Sequence, residues 1–334
     1  MHKIISIGDV EKASWSELVR KSPVATWFQT EEAYTFYKSL SFFEPFALAV
    51  ESDGQLKGVA VGYVQKEGGK FKGFFSKRAI ILGGPLLSED ISDEGLEILL
   101  RELIDSLKEK AIFLETRNFN DYGRWRAVFE KCGFVYEPHY DVHVDTSSVE
   151  VINGRIDRNR KRNIKKAKEK GVVVDENPTY EDLRSFYALL EILYRTKVKL
   201  PLYPFEFFEK LREVSSSRFF VAKKEDGEVI GGLVCVVLDG RAVYAWMACG
   251  EDQKYREMSP SVMVNYAGIC HAAEQGCGRF DFMGAGKPDD GGYGVRDFKL
   301  KFGGELVEYG RFNYVCNPLL FNVGKLGVNL MKKL

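Results

Sequence analysis

Apolar and polar positions along this chain repeat one pattern twice. Phe46-Ala-Leu-Ala-Val-Glu-Ser-Asp-Gly54 leads into Leu56-Lys-Gly-Val-Ala-Val-Gly-Tyr63, and Phe219-Phe-Val-Ala-Lys-Lys-Glu-Asp-Gly227 leads into Val229-Ile-Gly-Gly-Leu-Val-Cys-Val-Val237. In both, Asp-Gly supplies the positive backbone angles of a tight turn between β-branched runs, so each predicts a hairpin. The copies stay in step downstream. In the first, a strand at Ala79–Leu82 and the turn Gly83-Gly84-Pro85 precede a helix starting near Ser92, with Leu96, Leu99, Leu100, Leu103 and Leu107 on one face. In the second, a strand at Ala242–Cys249 precedes Ser259-Pro260, an N-cap with proline at the first helical position.

Each helix then feeds a strand, Ala111–Glu115 or Arg279–Met283, and each strand leads to a short helix closed by glycine, at Gly133 or Gly303. From Gly54 to Gly133 and from Gly227 to Gly303 the spans are 79 and 76 residues. A repeat near 170 residues means a duplicated domain rather than a solenoid. The expected units are 1–150 and 151–315, followed by an amphipathic tail, 316–334. Each unit predicts an α/β (α+β) mixed sheet with helices on both faces. Antiparallel hairpins running into βαβ elements resemble the acyltransferase fold known as GNAT, here as two tandem GNAT-like domains.

Composition narrows the function. The 334 residues carry 48 Lys+Arg and 48 Asp+Glu, a balance that excludes both a histone-like coat for nucleic acid and a highly acidic disordered chain. Met1–Val10 lacks the basic flank and apolar core of a secretory signal, and no stretch approaches the roughly 20 apolar residues of a spanning helix. A cytoplasmic protein is expected. The six cysteines, Cys132, Cys235, Cys249, Cys270, Cys277 and Cys316, form no C-x-x-C pair and read as reduced core thiols. Positive charge is local: Arg155–Lys170 holds nine basic residues against Asp157 and Glu169, a net +7 over sixteen residues. Such a helix is either merely solvated or meets phosphate, in a lipid-linked pyrophosphate, a tRNA backbone or anionic headgroups.

Several residues together resemble the Fem group of peptidoglycan-bridge aminoacyltransferases, and the likeness covers nearly the whole chain. It is carried by Phe28-Gln29-Thr30 before an aromatic helix ending at Lys38, by Gly84-Pro85 after a strand, by the basic helix through Arg162 to Val173, and by Phe280-Asp-Phe-Met-Gly284 followed by a glycine-rich loop and Phe298-Lys299. The resemblance implies transfer of an aminoacyl group from aminoacyl-tRNA to an amine of a peptidoglycan-precursor peptide, at the cytoplasmic membrane face. It also implies a precursor-binding role for Lys38. Similar tandem proteins of polysaccharide pathways suggest the alternative of an acyl-CoA-dependent N-acyltransferase acting on an amino sugar or amino acid. A non-catalytic member binding a precursor or a membrane surface is the third reading.

The chemistry has specific candidates. Acyl transfer needs positive charge or N–H donors where the carbonyl oxygen becomes an oxyanion, which Lys299 would supply; a solvated helix lysine is the alternative, with Lys301 two residues on. Asp281 lies between Phe280 and Phe282 near the end of a strand, and either orients or deprotonates the incoming amine or caps the glycine loop. Tyr293, Arg296 and Phe298 line the same loop. Arg158, Arg162, Lys165 and Lys166 are the phosphate-binding candidates of the basic helix. Where a GNAT domain holds the CoA pyrophosphate on a glycine-rich turn, this chain has Gln253-Lys-Tyr-Arg-Glu-Met-Ser-Pro260, without glycine and with a proline that has no N–H to donate. This argues against CoA and leaves no cofactor implied. His139, Asp141 and His143 alternate on a strand, a spacing open to metal or to plain packing; aminolysis on this fold needs no metal. The stretch Leu319–Leu334 reads as an interfacial helix or as one packed on the second unit. Two complete units give no reason to expect an obligate oligomer, so a monomer is expected.

Overall fold

The computed structural model of the protein describes residues 2–65, 77–290 and 294–322. They form two compact units, Met1–His139 with Tyr309–Leu334, and Tyr140–Glu308. The first contains β1 (His2–Ser6), α1 (Lys12–Lys21), α2 (Glu31–Ser39), β2 (Phe43–Ser52), β3 (Gln55–Gln65), β4 (Arg78–Leu82), β5 (Leu86–Leu87), α3 (Asp93–Leu107), β6 (Phe113–Arg117), α4 (Arg126–Lys131) and β7 (Val135–Glu137). The second contains β8 (Tyr140–Asp145), α5 (Val149–Arg155), α6 (Arg158–Glu169), β9 (Val173–Asp175), α7 (Tyr180–Leu193), α8 (Glu206–Leu211), β10 (Ser217–Lys223), β11 (Val229–Leu238), β12 (Ala242–Gly250), α9 (Pro260–Glu274), β13 (Arg279–Asp281), α10 (Gly294–Leu300) and β14 (Glu305–Glu308). The chain then returns to the first unit with β15 (Arg311–Val315). No helix among the described residues is long and apolar enough to cross a membrane.

Both units are mixed sheets with helices, as the repeat predicts, and they divide at His139/Tyr140 and Glu308/Tyr309 rather than at the expected 150 and 315. The first sheet runs β1-β2-β3-β4-β6-β15-β7, with β5 paired to β3, and the second runs β14-β8-β13-β12-β11-β10-β9. Thus β8, expected to close the first unit, belongs to the second sheet, while β15 pairs with β6 and β7 of the first. Periodicity counts residues along the chain and is blind to pairing partners; β8 alternates correctly for either sheet, with Val142 and Val144 entering the second core.

The hairpins differ in their turns. Asp53 and Gly54 take φ of 50° and 77°, the paired positive angles of a two-residue turn. In the second copy Gly227 takes φ of 85°, and the turn is longer, closed by Lys224 N–H donating to Glu228 O. α3 is built as expected: Ser92 Oγ accepts Gly95 N–H, and all five leucines are buried. The basic segment departs from a single helix. It breaks at Ile156-Asp157, where Asp157 accepts the amides of Asn159 and Arg160 and caps α6, so Arg155 ends α5 instead.

The two sheets also end differently at their parallel strand pairs. In the first, β4 pairs with β6 through Leu82 and Arg117, and Gly83 N–H continues to Arg117 O at 2.8 Å. There Gln29 Nε2 donates to Gly83 O and Gly84 O at 2.9 and 2.8 Å, and the Tyr122 hydroxyl lies 2.7 Å from the carbonyls of Gly83 and Pro85. Two motifs 54 residues apart thereby lock this turn shut. In the second, β13 pairs with β12 only at Ala242, Val243 and Tyr244, so from Ala245 to Gly250 β12 runs on beyond it.

Candidate active site

Asp281, Lys299 and the glycine loop between them lie in the second unit. β13 stops at Asp281, two residues earlier than the pattern predicts, because the chain bulges. Phe282 N–H still donates to Val142 O and Ala285 N–H to Tyr140 O, leaving Met283 and Gly284 as extra residues opposite Asp141. They take φ of 54° and 117°, the second of which suits only glycine. The bulge aims the carbonyls of Phe282 and Gly284 at α10, where Lys299 Nζ donates to them at 2.9 and 2.5 Å.

Lys299 is therefore not a solvated helix lysine. It is partly buried, and two of its three donors are spent on the bulge, leaving one N–H for a substrate. Burial pulls its pKa below the ordinary value against the opposing attraction of Asp141 and Asp281. Phe298 presents its ring to the Arg160 guanidinium at 4.4 Å, and Arg296 donates to Ala285 O at 2.9 Å and Lys287 O at 2.6 Å, bracing the glycine loop. Tyr293, Gly291 and Gly292 lie outside the described residues.

Asp281 makes the cap that one reading of its role expects. Its carboxylate is fully buried, and Oδ1 accepts Met283 N–H at 2.8 Å, the cap expected for a glycine loop. Oδ2 lies 3.1 Å from His143 Nε2 and 3.7 Å from Arg279 Nη2. Asp141, also buried, accepts Gly284 N–H through Oδ1 at 2.8 Å and turns Oδ2 to within 3.9 Å of His143 Nε2. Burial and the facing Asp281 push the Asp141 carboxyl well above the usual carboxylate range. Burial acts on Asp281 in the same sense, but His143 and then Arg279 hold it below its ordinary value. The two buried carboxyls are thus pushed apart, Asp141 upward and Asp281 downward.

Sequence reasoning foresaw Asp141 and His143 on one strand face but grouped them with His139. His139 instead belongs to the first unit, where Arg311 Nη2 lies 3.0 Å from its Nε2. Asp141, His143 and Asp281 offer ligand atoms within 4.8 Å of one another, a spacing that suits a divalent ion. Lys299 and Arg279 bring positive charge to the same two carboxyls, Arg279 Nη2 lying 3.7 Å from Asp281 Oδ2. The contact of His143 with Asp281 is what the sequence missed; the signal was the register of the two strands, invisible until β8 was placed in the second sheet.

The N-terminus of α9 is where a GNAT domain would hold pyrophosphate. Ser259, expected as an N-cap, takes φ of 41° and makes no side-chain cap; its hydroxyl turns to Arg256 O at 3.2 Å. Pro260 has no N–H, Ser261 N–H is taken by Asp252 Oδ1 at 3.2 Å, and Val262 N–H by Ser259 O at 2.9 Å. The first turn of α9 is closed by the protein's own groups.

The basic candidates divide. Arg160 is buried, stacked on Phe298 and Phe302, and Lys166 pairs with Glu257 at 2.6 Å. Arg158, Arg162 and Lys165 are exposed, together with Lys161. Lys38 sits in the first unit, exposed at the end of α2, its ammonium 5.5 Å from the Tyr34 ring. Residues 318–322 are helical, and Phe321 meets Phe113 edge-on in the first unit; 323–334, the rest of the expected tail helix, lie outside the described residues.

Residues 154–299 match the family model described as Acetyltransferase (GNAT) domain. No curated protein matches the chain by sequence. Among solved structures it is similar to one described as FemX, at 16% identity and a TM-score of 0.73, covering 96% of this chain and 99% of that one. It is similar to L-PGS from Bacillus licheniformis at 14% identity and a TM-score of 0.57, covering 97% of each chain. A tandem GNAT protein from the clavulanic acid biosynthesis pathway aligns at 12% identity and a TM-score of 0.58, covering 95% of this chain and 99% of that one. The fold is therefore that of tandem GNAT proteins, with an acyltransferase domain in the second unit.

Proposed function

We propose that the protein transfers an aminoacyl group from aminoacyl-tRNA to an amine of a peptidoglycan-precursor peptide. The observation that carries the choice of donor is the closed N-terminus of α9, where Pro260, Asp252 and Ser259 leave no first-turn N–H for a CoA pyrophosphate. A donor esterified to a larger carrier has no need of that site. The opening between β12 and β13 supports a place for the aminoacyl ester beside the Phe282–Gly284 bulge, with the remaining Lys299 N–H on its carbonyl oxygen. An acceptor amine attacks that carbonyl, the oxyanion leans on Lys299, and the ribose hydroxyl leaves; no covalent enzyme intermediate is needed. Exposed Arg158, Arg162 and Lys165 offer charge to phosphate of donor or acceptor, and Lys38 is carried as an acceptor contact from the Fem resemblance.

A second reading, acyl-CoA-dependent N-acylation of an amino sugar or amino acid, is favoured by the acetyltransferase description of the matching model. Calorimetry with acetyl-CoA and with a nucleotide-linked muropeptide, beside a transfer assay with charged tRNA, decides between them. Precursor binding and tRNA-dependent transfer without CoA binding are expected; tight CoA binding would overturn the first reading.

A further inference from the structure

The end of α7 carries an exposed segment that acyl transfer does not use. After Leu193 the helix continues as a π turn, Tyr194–Val198, in which Lys199 N–H donates to Tyr194 O at 2.7 Å. Such one-residue insertions recur at functional sites. Lys199 then takes φ of 55°, a left-handed backbone uncommon for a residue other than glycine. Leu193 and Tyr194 form the half-buried inner side of the turn; burial, and after it Tyr203 and Cys249, push the Tyr194 hydroxyl up to about 12. Every residue from Arg195 to Pro201 is exposed. Ile192, Val198 and Leu200 stand 48%, 39% and 62% exposed, three large aliphatic side chains gathered at one turn. Among them lie Arg195, Lys197 and Lys199, with no acidic residue between Glu191 and Glu206. None of the three cations has an ion pair among the described residues.

A single exposed aliphatic side chain is ordinary on a protein surface, but three gathered around three unpaired cations have the composition of a docking surface. The cations fix the sign of what covers it. The stripe on α6 offers a contrast: its exposed side is charge alone, with Ile164 and Ala167 turned to the core, which suits a phosphate backbone. Single-stranded nucleic acid would ask the turn for flat rings on which bases stack, and Ile192, Val198 and Leu200 have none. An anionic bilayer receives both halves of the pattern, the aliphatic tips at the edge of its acyl chains and the ammonium and guanidinium groups at its headgroup phosphates. We propose that the turn from Ile192 to Leu200 docks the second unit on an anionic lipid surface. This contact goes beyond the transfer reaction and holds whichever acyl donor the protein uses.

The test is co-sedimentation of the full chain with vesicles of phosphatidylcholine, alone or mixed with phosphatidylglycerol. Wild type is expected to bind the mixed vesicles, less as salt rises, and to leave the neutral ones largely free. Val198→Ser combined with Leu200→Ser should lower binding by about 10-fold or more, and so should Arg195→Gln, Lys197→Gln and Lys199→Gln together. Val135→Ser, which removes an exposed valine of the first unit, should bind as wild type does. All the replaced side chains are exposed, and melting curves show the variants folded. Failure of wild type to bind mixed vesicles overturns the proposal, as does undiminished binding by the Val198/Leu200 double variant or an equal loss in Val135→Ser. A wild-type dimer that the double variant abolishes, without vesicle binding, would assign the patch to a second copy of the chain. Weaker binding of charged tRNA by the double variant, with vesicle binding unchanged, would assign it to nucleic acid; either result overturns the proposal. Vesicle binding is read without any acyl donor, so its outcome is separate from that of the transfer assays.

Discussion

Arg160 of α6 and Phe298 of α10 lie 138 residues apart and meet twice: Arg160 Nη2 donates to Phe298 O at 3.0 Å, and the guanidinium lies over the Phe298 ring at 4.4 Å. The same guanidinium lies 4.8 Å from the Phe302 ring. One buried cation therefore ties the basic helix to the short helix that presents Lys299. Arg160→Met keeps much of the packing volume but abandons the carbonyl and both ring faces. Denaturant unfolding should show a loss of about 1–3 kcal/mol, and transfer should slow because Lys299 is less firmly placed. Arg160→Lys should not restore the wild type, since an ammonium lacks the flat guanidinium that lies across both rings.

Lys299→Met removes the donor shared by Phe282 O and Gly284 O. The two carbonyls then lose their partner, which costs about 1–3 kcal/mol of stability in thermal or denaturant unfolding. If Lys299 carries the oxyanion as proposed, its removal should lower transfer by about 100-fold or more while leaving acceptor binding by calorimetry close to wild type. Intact turnover in folded Lys299→Met would show that Lys299 only staples the bulge.

How much of this was legible in the sequence follows from what each signal measures. Apolar spacing found α3, the hairpins and the repeat, because those depend on near neighbours. It missed the transfer of β8 to the second sheet and of β15 to the first, because alternation is indifferent to which strand lies alongside. Motif and chemistry single out Asp281 and Lys299, and both prove to hold the Phe282–Gly284 bulge. Their geometry was not legible: the Met283-Gly284 bulge that links them depends on Asp141, 143 residues from Gly284. Likewise Arg160 looked like one more solvated charge, and only the aromatic rings of α10 and its following turn make it a core residue.

On α6, Arg158, Lys161, Arg162 and Lys165 follow helical spacing and form one exposed stripe, opposite buried Arg160, Ile164 and Ala167. Such a stripe can run along a phosphate backbone without disturbing the core. A triple variant, Arg158→Glu, Arg162→Glu and Lys165→Glu, should melt like wild type yet bind charged tRNA more weakly. In a salt series the slope of log affinity against log salt should shrink by about 0.9 for each phosphate that is no longer neutralised. An unchanged slope would mean that this face meets no nucleic acid. Lys166→Ala, which breaks only the exposed pair with Glu257, should shift stability by less than about 1 kcal/mol.

His139 in the first unit should give the protein a measurable acid sensitivity. Burial, and then the Arg311 guanidinium 3.0 Å from its Nε2, lower its pKa from 6.5 to about 4. The folded chain thus keeps this imidazole neutral where the unfolded chain protonates it. Between pH 6.5 and about 4 the unfolded state binds more protons at this site, so stability rises with pH through that window. Acidification from pH 7 should lower the melting temperature progressively until the folded-state histidine also titrates, below which this contribution stops changing. His139→Gln cannot take up the proton and should flatten that part of the curve, with little change at pH 8. Melting temperatures of the two proteins from pH 4 to 8 check this, and parallel curves would assign the acid sensitivity to other groups.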